Sequence, residues 1–199
     1  MSSKIVIIGG GSYLWTSGLT QDLFLCESLK GSELILVDIN PEAADILQKY
    51  CQIVADQIGC DWRVRVAGLE EALTDAEYVC ISISTGDLEA MQLDYGIPED
   101  FGVFHTVADT VGPGGISRAL RNIPVFLDIA TVMEKRCPEA WLVHVTNPLS
   151  QLTRAVCRES DIKCVGLCHN YAGTVAFLRD FLGADEGLVQ ASSVGVNHY

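Results

Sequence analysis

The chain has 199 residues, with 13 Lys and Arg against 26 Asp and Glu, giving a formal net charge of −13. That excess of negative charge excludes nucleic acid and anionic membranes as partners, because like charges repel and no basic stripe offsets them. With 49% hydrophobic and 20% charged residues, the composition is globular and sufficient to bury a core without staples.

Short apolar runs alternate with amphipathic ones along the chain. The predicted strands are 4–8, 33–38, 63–67, 78–83, 141–145 and 163–167, most rich in Val and Ile, as strands buried on both faces should be. The predicted helices are 41–58, 117–136, 148–159 and 172–182. The first has Pro41 in its opening turn, then Ala44, Leu47, Cys51, Val54 and Ile58 at helical spacing. This order predicts an α/β fold: a Rossmann-like, doubly wound parallel sheet with helices on both faces, since parallel strands need crossover connections. Residues 188–196 read as a further strand, so the expected division is a dinucleotide-binding domain over 1–187 and the opening strand of a second domain over 188–199. The run from Lys4 reads as a buried strand rather than a signal peptide, and no stretch approaches the roughly 20 apolar residues of a membrane helix. The eight cysteines, without a secretory signal, read as free thiols of a reducing cytoplasm. Cys26, Cys51, Cys80 and Cys157 are placed as small buried hydrophobes.

Strand one runs into Gly9-Gly10-Gly11-Ser12. Glycines at a strand-to-helix turn let the backbone approach a pyrophosphate, whose charge then meets the helix N-terminus. The third fingerprint position is Leu14 rather than glycine, so the match is partial. The second strand ends at Asp38, 27 residues beyond Gly11; a ribose-binding acid is usually ~20 residues along. A carboxylate there repels a 2′-phosphate and favours NAD over NADP. Cys168 and His169 follow the sixth strand, and His198 lies 30 residues after Cys168. Two strand ends can bring a thiolate and an imidazole together at one sheet edge, where an incomplete metal shell suits catalysis. A buried cysteine with hydrogen-bonded histidines fits the same spacing. Asn147, before Pro148, reads either as a helix cap or as a ligand-facing residue at a strand's carboxyl end. Gly112–Gly115 reads as a loop before a helix or as an anion-binding nest, and Arg118 with Arg121 as a solvated face or a carboxylate clamp.

Asp94-Tyr95-Gly96-Ile97-Pro98, Asp109-Thr110-Val111-Gly112-Pro113-Gly114-Gly115, Arg118-Ala119-Leu120-Arg121, Thr146-Asn147-Pro148, Gly166-Leu167-Cys168-His169 and Val196-Asn197-His198 together resemble glycoside hydrolase family 4, the NAD- and Mn-dependent glycosidases. The resemblance spans essentially the whole chain and covers the N-terminal part of a typical member. It implies NAD held by Gly9, Gly10, Gly11, Ser12, Asp38, Asn40, Ser84 and Asn147, and Mn²⁺ held by Cys168 and His198. Asn147 and His169 become the catalytic candidates. It further implies a route in which NAD⁺ takes hydride from C3 of the sugar, the acidified C2 proton is removed, the aglycone leaves by elimination, water adds, and the hydride returns. His169 after the cysteine, and Met91 where phospho-sugar branches carry Arg, point to an unphosphorylated α-glycoside: an α-galacturonide, α-galactoside or α-glucoside. The resemblance also implies a homo-oligomer, dimer or tetramer, in the full-length form. The family's tyrosine base belongs to its C-terminal part, so these residues alone are expected to bind NAD weakly and turn over little substrate. The competing readings are a lactate/malate-type 2-hydroxy-acid dehydrogenase and a non-catalytic NAD-binding module.

Overall fold

The computed structural model describes residues 2–105, 107, 109–185, 187–192, 194 and 198. Six strands, β1 (Lys4–Ile8), β2 (Glu33–Val37), β3 (Arg63–Val66), β4 (Tyr78–Ile81), β5 (Trp141–His144) and β6 (Lys163–Gly166), form one sheet in the order β3-β2-β1-β4-β5-β6. Every pairing is parallel, as the alternation of strands and helices predicts. Among the described residues seven α-helices accompany them: α1 (Tyr13–Leu25), α2 (Pro41–Gln57), α3 (Leu69–Leu73), α4 (Asp87–Asp100), α5 (Gly112–Arg136) and α6 (Leu149–Glu159) between strands, and α7 (Asn170–Leu182) after the last.

Alternation along the strands sends side chains to two separate cores. On one face Val6, Ile35, Val79 and Leu142 pack with Phe126, Met133, Leu152 and Val156 of α5 and α6. On the other, Ile5, Ile7, Leu34 and Leu36 pack with Phe24 of α1, Leu47 and Cys51 of α2, and Trp62. Both faces are therefore covered, which explains why the strands read as continuous apolar runs.

The differences from the sequence reading have local causes. Strand β4 stops at Ile81 rather than Ile83 because the Thr146 hydroxyl takes over the Ile83 backbone, accepting from its N–H at 3.1 Å. Gly112–Gly115 is not a loop but the first turn of the 25-residue α5, which starts five residues earlier than expected. The Asp94–Pro98 motif lies inside α4, where burial of Asp94 and Pro98 overrides the low helix propensity of Gly96 and Pro98. Leu188–Ser192 and Val194 form no strand, and Ser193, Gly195 and Val196 lie outside the described residues. The eight cysteines form no disulfide with one another. Cys51 is buried and Cys80 half-buried, but Cys157 is exposed and Cys26 ends α1, so those two are not core residues. No helix among the described residues is long and apolar enough to cross a membrane.

Candidate active site

The strand order reverses between β1, which pairs β2 on one side, and β4 on the other. In open α/β sheets the ligand crevice lies beyond the carboxyl ends of the strands at that switch. Gly9 leaves β1 there with φ +90°, and a Cβ on it would lie 2.0 Å from the Ser82 carbonyl oxygen; one on Gly10 would lie 2.7 Å from Leu36 Cβ. Packing of the turn against its neighbouring strands thus demands glycine, independently of any ligand. The Gly11 N–H donates to Asp38 Oδ2 at 2.8 Å, and Asp38 Oδ1 accepts from the Asn40 N–H at 2.8 Å. The fingerprint loop and the strand-end acid are therefore in direct contact.

Ser12 and Asn40 have structural work as well. Ser12 caps α1 by accepting from Trp15 N–H, and the Asn40 side chain caps α2 by accepting from Ala43 N–H at 3.2 Å. The first-turn N–H groups of Tyr13 and Leu14 have no partner within α1, which is what an anion at a helix N-terminus requires.

The other group of residues gathers beyond β5 and β6. The peptide before Pro148 is cis. Asn147 is not a helix cap: its carbonyl oxygen accepts from Arg118 Nε and Asn122 Nδ2, at 3.2 and 3.3 Å, while its own Nδ2 donates to Asp109 Oδ2 at 2.9 Å. Thr110 Oγ1 lies 3.0 Å from Asp109 Oδ1 and 3.1 Å from His198 Nδ1. His198 Nε2 comes within 3.3 Å of Cys168 Sγ, and that sulfur accepts from the Asn170 N–H at 3.4 Å. One hydrogen-bonded chain therefore joins Asn147 to Cys168, two of the residues the sequence singles out. His198 adopts a left-handed backbone, φ +60°, a conformation uncommon outside glycine but enriched for histidine. Burial lowers the pKa of His198, but its hydrogen bonds with Cys168 and Asp109 outweigh this and raise it above the ordinary histidine value.

Not every candidate joins this chain. His169 is exposed at the N-cap of α7. Ser84 is exposed and accepts from Arg118 Nη2 at 3.4 Å. Arg121 is no substrate clamp: it makes a bidentate pair with Asp94, which is 3% exposed in its side chain, and also holds Ser117 and the Thr85 carbonyl. The sequence reading missed the roles of Asp109, Thr110 and Asn122. The signal was the Asp-Thr pair directly before the glycine run. A Cβ on Gly115 would lie 2.4 Å from the Thr110 carbonyl carbon and one on Gly112 2.3 Å from the His105 ring. The glycines let Thr110 and His105 close onto the α5 terminus, which places Asp109 at the site.

Residues 4–184 match the family 4 glycosyl hydrolase profile. The chain belongs to glycosyl hydrolase family 4. It is 37% identical to an α-galacturonidase of Thermoanaerobacter italicus over 98% of its own length and 44% of the relative's. Among solved structures it is similar to the 6-phospho-β-glucosidase of Thermotoga maritima in complex with manganese, NAD⁺ and glucose-6-phosphate (TM-score 0.80, 28% identity, 91% of this chain, 44% of that one). The lactate dehydrogenase of Eimeria maxima shares the fold alone (TM-score 0.69, 17% identity, 93% of this chain, 50% of that one). The family 4 chain therefore spans about half the length of the curated relatives it matches.

The donors of this family 4 chain fit a metal in part. Taking zinc-like bonds of roughly 2.1 Å to nitrogen and 2.3 Å to sulfur, adjacent ligands of one ion sit roughly 3.1–3.6 Å apart, and Cys168 Sγ and His198 Nε2 are 3.3 Å apart. Among the described residues no group of three His, Cys, Asp or Glu side chains is arranged to hold a metal. The pair supplies two donors at the spacing of adjacent ligands.

Proposed function

We propose that this chain supplies the dinucleotide-binding half of an NAD- and Mn²⁺-dependent glycosidase acting on an unphosphorylated α-glycoside: an α-galacturonide, α-galactoside or α-glucoside. The observation that carries the reading is the approach of Cys168 to His198, linked to Asn147. It lies on the sheet edge that also holds Gly9–Ser12 and Asp38. At roughly 4.8 Å per strand, the ends of β1 and β6 are three strands and about 14 Å apart, a span that a dinucleotide and one sugar ring together bridge.

When bound, NAD supplies a reversible hydride acceptor and the divalent cation supplies Lewis acidity. The chain's own residues supply placement. Asp38 faces the ribose hydroxyls, and the N-terminal turn of α1 receives the pyrophosphate. Cys168 and His198 hold the cation, and Asn147 lies between the two binding regions, fixed by Arg118, Asn122 and Asp109. His169, next to Cys168 and open to solvent, is placed to deliver a proton to the leaving oxygen. His169 and Met91 support an unphosphorylated sugar.

The test is an assay of p-nitrophenyl glycosides and their 6-phosphates, with 2-hydroxy acids as controls, with and without Mn²⁺ and a thiol reductant. The isolated chain is expected to bind NAD weakly and to turn over little. A separately expressed C-terminal half of a family relative is expected to restore Mn²⁺-dependent turnover of an unphosphorylated α-glycoside. Restored turnover that ignores Mn²⁺ and survives Cys168→Ser would contradict the proposal.

A further inference from the structure

We infer that Asp109, acting through Thr110, sets the tautomer of His198, so that the Nε2 lone pair faces Cys168. Proton bookkeeping along the hydrogen-bonded chain carries this. An ionised carboxylate only accepts. Asn147 Nδ2 therefore donates to Asp109 Oδ2, and the Thr110 hydroxyl, 3.0 Å from Oδ1, spends its single proton on the carboxylate. With that proton committed, Thr110 Oγ1 is an acceptor for its other neighbour, His198 Nδ1 at 3.1 Å. In the neutral ring Nδ1 thus carries the proton and Nε2 the lone pair, pointing at Cys168 Sγ 3.3 Å away. The direct Asp109–His198 separation is longer, 3.5 Å, so the threonine is the working link.

The chain is held from behind. Gln151 Nε2 donates to the Thr110 carbonyl at 3.3 Å, and Gly115 leaves room for that carbonyl against the first turn of α5. Asp109 and Thr110 are therefore positioning residues, which act by aiming one ligand nitrogen. The consequence for metal affinity rests on the reading of Cys168 and His198 as metal ligands; the tautomer itself does not.

Asp109→Asn is nearly isosteric and tests the direction of the chain. Its amide accepts from Asn147 through oxygen and donates to Thr110 through nitrogen. The threonine proton then turns toward His198 Nδ1, and the ring proton moves to Nε2, facing the sulfur. Thr110→Ser keeps the hydroxyl and should retain the wild-type arrangement. Two readouts on the 199-residue chain separate the outcomes. The first is the pair of His198 ring ¹⁵N shifts in a Cys168→Ala background, which removes the thiol and its proton. They are expected to report Nδ1–H with Asp109 or Thr110→Ser, and Nε2–H with Asp109→Asn. The second is Mn²⁺ titration by calorimetry with Cys168 intact. Asp109→Asn is expected to weaken binding about 10- to 100-fold, the range for loss of an orienting partner, and Thr110→Ser to stay within about 3-fold. An Nε2–H ring in the parent chain, or unchanged shifts in Asp109→Asn, would overturn the inference. A parent chain that shows the Nδ1–H ring and binds no Mn²⁺ would overturn the metal reading and support the tautomer assignment.

Discussion

His144 is buried in the fold, packed away from the cluster of Asn147, Asp109, His198 and Cys168. It is 1% exposed, its Nε2 lies 2.8 Å from Thr153 Oγ1, and its ring meets Phe126 edge-on. Burial pushes its pKa down to about 4, from 6.5. The unfolded chain therefore takes up a proton first as pH falls, and stability drops between pH 6.5 and about 4 rather than rising. At ~1.4 kcal/mol per unit the loss approaches roughly 3 kcal/mol. Urea unfolding at several pH values should show this acid-side slope, and His144→Gln should flatten it. An equal slope in the variant would assign the acid sensitivity elsewhere. Gly115→Ala tests the other kind of residue-scale constraint. The new methyl group would sit 2.4 Å from the Thr110 carbonyl carbon, and the helix propensity gained, about 1 kcal/mol, cannot relieve a backbone overlap. Net destabilisation in a thermal melt is expected; net stabilisation would contradict this account of the glycine run. These positions also mark what a sequence discloses at this scale. Residue types with one dominant use, such as the glycines and Asp38, could be placed from the chain alone. Asp109 could not, because its role depends on a hydrogen bond to a residue 38 positions away and on its approach, through Thr110, to one 89 positions away.

Among the described residues one ion pair links α4 to α5: the buried Asp94 carboxylate with the half-buried Arg121 guanidinium. Burial raises the Asp94 pKa, but the bonds from Arg121 and Ser117 outweigh it and hold the carboxyl below its ordinary value. Arg121→Met leaves that carboxylate without its partner and should cost about 3 kcal/mol, the lower end for breaking a buried pair. Adding Asp94→Leu should recover much of the loss, since a buried pair contributes little over apolar packing of similar volume. Urea denaturation of the single and double variants checks both steps; equal losses in the two would show that the charge left behind is not the cause. At this scale the strands were legible in the sequence to within two residues, because burial on both faces leaves an apolar run that few other elements produce. Helix α4 was not legible. Gly96 and Pro98 argue against a helix locally, and only the tertiary burial of Asp94 and Pro98 overrides them. The early start of α5 was hidden for the same reason, since Gly-Pro-Gly-Gly is a poor helix opening until Thr110 and His105 close over it.

For the whole molecule, the parallel pairing of the sheet follows from the alternation of strands and helices, whereas the surface of α7 follows from nothing in the local sequence. No residue of α7 is buried. Phe177 and Phe181 are 67% and 77% exposed, stacked on each other at 6.2 Å. A charge placed at Phe181 should therefore shift stability by no more than about 0.5 kcal/mol, the usual range for an exposed site. A large drop in the thermal midpoint would show that this face is covered in solution. The strand-end residues gather at the carboxyl edge of the sheet, where open α/β sheets place ligands, and on the proposed reading the acidic surface leaves any anionic substrate dependent on local positive charge. Arg121 is committed to Asp94, while Arg118 holds Asn147 and Ser84. The central claim is that Cys168 and His198 together form the cation site. Calorimetric titration of Mn²⁺ into the reduced chain, with Cys168→Ser and His198→Ala beside it, tests this most directly. Binding in the parent chain and its loss in both variants is the predicted result; equal Mn²⁺ binding in all three would contradict it.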